Sequence, residues 1–165
     1  MSAIFSPCGD YRLRLERVVD MHSPVTAALI GVNPSTADAD TDDATIRKDM
    51  GFARRHGWGR IIKGNKFAYR ATDVRRLRDI VDPIGPGCDD ELRQIMSDAD
   101  VVIACWGPLS KLPRHLRARW RDVVQMAGEA DKPLMCFGTA KDGQPRHTLM
   151  LAYDTPLIAW EPTNG

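Results

Sequence analysis

Four loops of this chain gather side chains that can do chemistry, and each loop follows an apolar run. The first, Gly31-Val32-Asn33-Pro34-Ser35-Thr36, offers an amide and two hydroxyls. Asn33 presents both a donor and an acceptor, enough to orient a water or read a polar edge. Pro34 gives the loop a fixed path, and Gly31 lets a ligand approach the backbone. The second loop sets Asn65 beside Phe67, Tyr69, Arg70 and Thr72. Such a group can hydrogen-bond a base edge, stack on its face and contact a phosphate. The third presents Trp106 before Gly107. The fourth carries Lys141 and Arg146, a pair able to clamp an anion, and His147, able to act as acid, base or hydrogen-bond donor.

A competing chemistry lies just after the first loop. Asp38, Asp42 and Asp43 could hold Mg²⁺ with water and a substrate phosphate completing the shell. The segment lacks the sixth-position glycine and terminal glutamate of a calcium loop. Asp42 or Asp43, standing before Ala44, also suits the cap of a helix. Capping is the reading adopted, with no metal and no cofactor expected. Nucleophile elbows, P-loops, dinucleotide fingerprints and C-x-x-C pairs are all missing.

Positioning these loops requires a sheet. Residues 11–18 alternate Tyr11, Leu13 and Leu15 with Arg12, Arg14 and Glu16, as a half-exposed strand does. Residues 25–32 form a nearly continuous apolar run, as in a strand covered on both faces. These two are expected to pair antiparallel at a sheet edge. Further strands are read at 59–65, 101–105, 133–137 and 156–160. Helical periods fall at 44–56, 73–80, from 89 onward, and through Leu116, Trp120 and Val123 to Met126. The alternation predicts one α/β domain over 1–165, a three-layer α/β/α sandwich with a mostly parallel central sheet. Ligands of such sheets bind outside the carboxyl ends of the strands, where the four loops would meet.

Composition fits a soluble globular chain, with 43% hydrophobic and 27% charged residues. No apolar run approaches the ~20 residues needed to cross a bilayer. The N-terminus has no secretory pattern, so a cytoplasmic location is expected. Cys8, Cys88, Cys105 and Cys136 are read as reduced thiols. The net charge of +1 makes no global case for nucleic acid. Two segments are nevertheless basic: Arg75, Arg76 and Arg78, and Arg114 through Arg121. They are either solvated helix faces or a phosphate-facing patch.

The blocks GVNPSTADAD, DDATIRK, NKFAYRAT, CWG and GTAKDGQPRH resemble a bacterial and phage family of unknown function. A more distant resemblance is to the uracil-DNA glycosylase superfamily, some branches of which carry a G-x-N-P motif after the first core strand. Gly31-Val32-Asn33-Pro34 is similar, as are Gly64-Asn65 at a strand end and Trp106-Gly107. The resemblance implies a uracil-DNA glycosylase-like fold and a base- or nucleotide-directed hydrolase, cleaving an N-glycosidic bond in DNA, modified bases included, or in free nucleotides. Asn33 and His147 would be catalytic, the first positioning water and the second stabilising the leaving base anion. Asn65 would read the base, with Ser35, Thr36, Phe67, Tyr69, Arg70, Trp106, Lys141 and Arg146 binding the rest. Two alternatives stay open: a non-catalytic nucleotide or modified-base binding module, and a Mg²⁺-dependent phosphohydrolase.

Overall fold

The computed structural model describes residues 1–163. The chain opens with β1 (Ser2–Phe5), β2 (Arg12–Val18) and β3 (Thr26–Gly31), then α1 (Ala44–His56) and β4 (Arg60–Asn65). A 3₁₀ turn at Val74–Asp79 leads to α2 (Cys88–Asp98) and β5 (Val101–Ala104). Two more 3₁₀ turns, Leu109–Lys111 and Arg114–Arg119, precede α3 (Trp120–Glu129), β6 (Leu134–Cys136) and β7 (Ile158–Ala159). All these strands form one sheet in the order β1-β2-β4-β3-β5-β6-β7. Its centre, β4-β3-β5-β6, is parallel, while β1, β2 and β7 join through antiparallel pairings.

The apolar run of β3 is explained by burial on two sides. Ala28 and Ile30 pack with Leu92, Ile95 and Met96 of α2 and with Val123 and Met126 of α3. Ala27 and Leu29 pack on the opposite face with Phe52 and Ala53 of α1. Helices therefore cover both faces of the sheet, making three layers. Helix α1 begins at Asp43, whose carboxylate accepts the Ile46 N–H at 2.9 Å, and stops at Gly57 in the left-handed region at φ 70°.

Chain order across the sheet reverses beside β3. The α1 connection carries the chain to β4 on one side, and α2 returns it to β5 on the other. The loops after β3 and β5 diverge at this point, which opens a crevice at the carboxyl end of the sheet.

The expected pairing of 11–18 with 25–32 is not what forms. Strand β2 pairs with β1 and β4, leaving β3 between two parallel neighbours. The half-exposed alternation of β2 also fails. Ile4 faces Arg14 and Phe5 faces Arg12, so Leu13 is an extra residue in a bulge. Beyond the bulge the faces exchange, and the arginines are buried rather than solvated. Arg14 pairs with Glu16, Glu91 and Asp98, while Arg17 pairs with Asp42 and donates to the carbonyl oxygen of Asp38. Of the cysteines, Cys8 is exposed, the other three are buried, and all are free thiols. Among the described residues no helix is long and apolar enough to cross a membrane.

Candidate functional site

A cleft of about 940 Å³ occupies the crevice. Its lining draws on every loop at this edge: Asn33 and Ser35 after β3, Thr72 and Arg75 after β4, Trp106 and Lys111 after β5, and Arg146 and His147 after β6. The amino end of α1 adds Asp43 and Thr45, and Leu149 and Met150 close one side.

Backbone pairing continues past the strand ends and sets these positions. The N–H groups of Lys66 and Phe67 donate to the carbonyls of Gly31 and Val32 at 2.9 Å each, and Ala71 N–H donates to Pro34 O at 3.0 Å. Asn33 completes this zipper. Its Nδ2 donates to Ala71 O at 2.7 Å and to Pro34 O at 3.1 Å, which fixes the amide plane and leaves Oδ1 as the acceptor.

The β5 exit is joined to the last loop in the same way. Gly107 N–H donates to Pro145 O at 2.9 Å, and the Trp106 indole donates to Gln144 Oε1 at 2.8 Å. A Cβ on Gly107 would lie 3.6 Å from the Cβ of His147, so the histidine packs directly against that turn.

His147 is held in one protonation state and one tautomer. Burial, reinforced by the nearby Lys63 ammonium, pushes its imidazole down to about 4, so the ring is neutral at pH 7. The Leu149 backbone N–H donates to Nδ1 at 3.1 Å, which requires the lone pair there and puts the ring proton on Nε2. His147 therefore serves as a neutral hydrogen-bond donor.

A buried polar network supports it. Lys63 Nζ and Asp49 Oδ2 lie 2.8 Å apart, and Thr148 Oγ1 donates to Asp49 Oδ1 at 2.6 Å. The pair keeps Lys63 raised despite its burial, while burial lifts the neighbouring Cys105 thiol to about 11 and keeps it neutral. Asp49 thus clamps the residue next to His147.

Several residues expected at the site do not line the cleft. Phe67 is fully buried with Leu77 and Leu112, because the zipper turns its side chain inward. Tyr69 packs edge-on against Tyr11 at 5.6 Å, and Arg70 lies over the Phe5 ring at 4.9 Å, both drawn toward β1 and β2. Thr36 is exposed outside the cleft. Lys141 sits at the tip of a hairpin closed by Thr139 and Pro145, which carries it away from the lining. Asn65 is 4% exposed, and its Oδ1 lies over Gly31. Among the described residues its side-chain amide has no hydrogen-bond partner.

The aspartates after Asn33 have individual tasks. Asp42 pairs with Arg17 at 2.7 Å, Asp38 accepts the N–H groups of Asp40 and Thr41, and Asp43 caps α1. Among the described residues no three His, Cys, Asp or Glu side chains come together as a metal-ligand set.

Asp43, weighed from the sequence as a metal ligand and read as a cap, both caps α1 and lines the cleft. Sequence reasoning missed Lys66. This side chain is fully buried, its Nζ has no hydrogen-bond partner, and burial lowers the amine to about 7. The Trp106 ring centroid lies 5.1 Å away and that of Phe67 5.9 Å. Nothing in the spacing of NKFAYR distinguishes a buried lysine from a solvated one.

No curated protein and no solved structure matches the chain. A family model described as a protein of unknown function (DUF1643) matches residues 12–149, and the chain belongs to that family.

Proposed function

We propose that the cleft hydrolyses an N-glycosidic bond, with the base of a nucleotide bound against the ends of β3 and β4. The reading is supported above all by the state of His147: a neutral ring donating from Nε2 in the cleft that Asn33 also lines. A neutral donor suits an anion that develops as the bond to a base breaks, because preorganised donors stabilise developing charge without reorganising. Asn33 Oδ1, fixed by the two bonds of its amide nitrogen, would accept a hydrogen bond from the attacking water. Asp43 places a carboxylate in the same space, able to balance positive charge developing on the sugar. The amide of Asn65 stands just behind that lining, over the bare backbone of Gly31, where a base edge that reached the strand ends would meet it.

The motif order favours a uracil-DNA glycosylase-like architecture. G-x-N-P follows β3, Asn65 ends β4, Trp106-Gly107 follows β5, and the histidine loop follows β6.

The test is a screen of nucleosides, nucleotides and single-stranded or modified DNA for binding and for release of base or phosphate, with and without chelator. Asn33→Ala and His147→Ala should each lower turnover by about 10²–10³-fold, the usual cost of losing one preorganised group. Turnover abolished by chelator but unaffected by Asn33→Ala would favour the phosphohydrolase. Binding without turnover, abolished by Asn65→Ala, would favour a binding module.

A further inference from the structure

Beside the cleft runs a second groove of about 500 Å³, sharing Asp73, Arg75, Lys111 and Leu112 with it and continuing past Arg76, Arg78, Ser110 and Pro113. It joins the basic segment 75–78 to the loop after β5. Its carboxylates do not cancel its cations. Asp73 is committed to Arg75, at 2.9 Å, and caps the 3₁₀ turn, while Asp79 stands 3.8 Å from Arg78. Arg76 and Lys111 have no ion-pair partner among the described residues. The opposite wall is braced from behind, because the Arg117 guanidinium donates to Leu112 O at 3.1 Å and Ser110 O at 3.3 Å.

We propose that this groove carries the phosphodiester backbone of a single-stranded nucleic acid whose target nucleotide occupies the cleft. The choice of partner rests on the base-directed reading of the cleft, but the test does not. A lone nucleotide would be housed by the cleft itself, leaving this run of cations without a ligand. A row of arginines and a lysine tracking away from a base site matches successive phosphates of a chain. The row is one-sided. Outside the shared residues the cleft lining holds a single cation, Arg146, along with Asp43, Leu149 and Met150. A duplex presents two phosphate rows, and only one is met here.

Fluorescence anisotropy of the full chain with labelled oligo-dT of about 16 nucleotides, the upper end of one groove's site size, reads the proposal directly. The double variant Arg76→Glu/Arg78→Glu should weaken binding by at least about tenfold and flatten the salt dependence by one to two in log–log slope, as expected at roughly 0.7 per lost phosphate contact. Arg54→Glu/Arg55→Glu, reversing the same charge on the exposed last turn of α1, should leave affinity within about twofold. The proposal is overturned if both reversals weaken binding alike, if tripolyphosphate or AMP competes as well as the oligonucleotide, or if a duplex of equal length binds as tightly. Strand binding as expected with no base released from any substrate would remove the hydrolase and leave this groove standing. Hydrolysis of free nucleotides with no strand binding would do the reverse.

Discussion

Gly31 and Asn65 stand side by side at the ends of two parallel strands, and a Cβ on Gly31 would fall 2.8 Å from Asn65 Oδ1 and 3.2 Å from Lys63 Cε. The missing side chain is what makes room for the amide. Lys63 is held by its buried pair with Asp49, so the Asn65 amide is what must give way, and Gly31→Ala should fold at a cost of about 1–2 kcal/mol for overpacking. It should also displace the Asn65 amide, which stands behind the cleft lining at the end of β4. Ligand affinity or turnover should fall by at least tenfold while thermal melting shifts by only a few degrees. A variant that melts lower but works normally would remove Asn65 from the site.

Three of the strands that carry the site, β3, β5 and β6, were legible because each is an uninterrupted apolar run, and burial on both faces demands that pattern. In β4 the apolar pair Ile61-Ile62 marks the strand, and Lys63 interrupts it, buried through its pair with Asp49. Asn33, Ser35 and Trp106 reached the cleft because they closely follow β3 and β5, whereas Arg146 and His147, ten and eleven residues past β6, are brought back by the Thr139–Pro145 hairpin and its bond to Gly107. The aromatic loop after β4 was less predictable. Phe67, Tyr69 and Arg70 sit in a loop whose path is set by hydrogen bonds to another loop, including Ala71 to Pro34 and Arg70 to Asp10. Sequence spacing carries no trace of those partners. Strand β2 was misplaced because a single bulge at Leu13 exchanges its faces, and because ion pairs bury Arg14 and Arg17 where alternation would put solvent.

The depressed pKa of His147 makes stability depend on pH in a known direction. The unfolded chain takes up this proton near 6.5 and the folded chain only near 4. The His147 contribution to stability should therefore be flat above about 6.5 and fall as the pH drops toward 4. His147→Gln cannot titrate, so urea unfolding at pH 7 and pH 5 should show a loss smaller than that of the parent by about 1–2 kcal/mol. Base release, if it uses the neutral ring, should show no acid limb near 6.5. An equal loss of stability in both proteins would mean that the ring is solvated.

The Asp49–Lys63 pair lies in a buried layer beside the cleft, and neither charge has access to bulk water. Removing one partner strands the other, so Asp49→Asn or Lys63→Met should each cost about 3–5 kcal/mol. Changing both should cost clearly less than the sum. Asp49→Asn has a second effect, since Thr148 loses a charged acceptor next to His147. Loss of turnover in Asp49→Asn beyond that in Lys63→Met, after correction for folded fraction, would separate positioning of His147 from plain destabilisation. Equal losses would leave the pair purely structural.

Lys66 presents the opposite case, a buried charge with no partner to lose. Two aromatic faces lie within 6 Å of its Nζ, which favours the cation. Desolvation outweighs them, and the Arg119 guanidinium adds repulsion, taking the amine from 10.5 to about 7. The unfolded chain binds this proton up to about 10.5 and the folded chain only up to about 7, so its cost is greatest below pH 7 and fades as the pH rises through that window. Lys66→Met keeps the length and removes the charge. It should stabilise the protein by about 2–4 kcal/mol at pH 6 and by less than about 1 kcal/mol at pH 10, because every tenfold weakening of proton binding corresponds to roughly 1.4 kcal/mol. Unfolding curves at the two pH values decide the matter. A gain independent of pH would mean that the methionine simply packs better. A loss at pH 6 would mean that Trp106 and Phe67 satisfy the ammonium, making Lys66 a brace behind the Trp106 wall of the cleft.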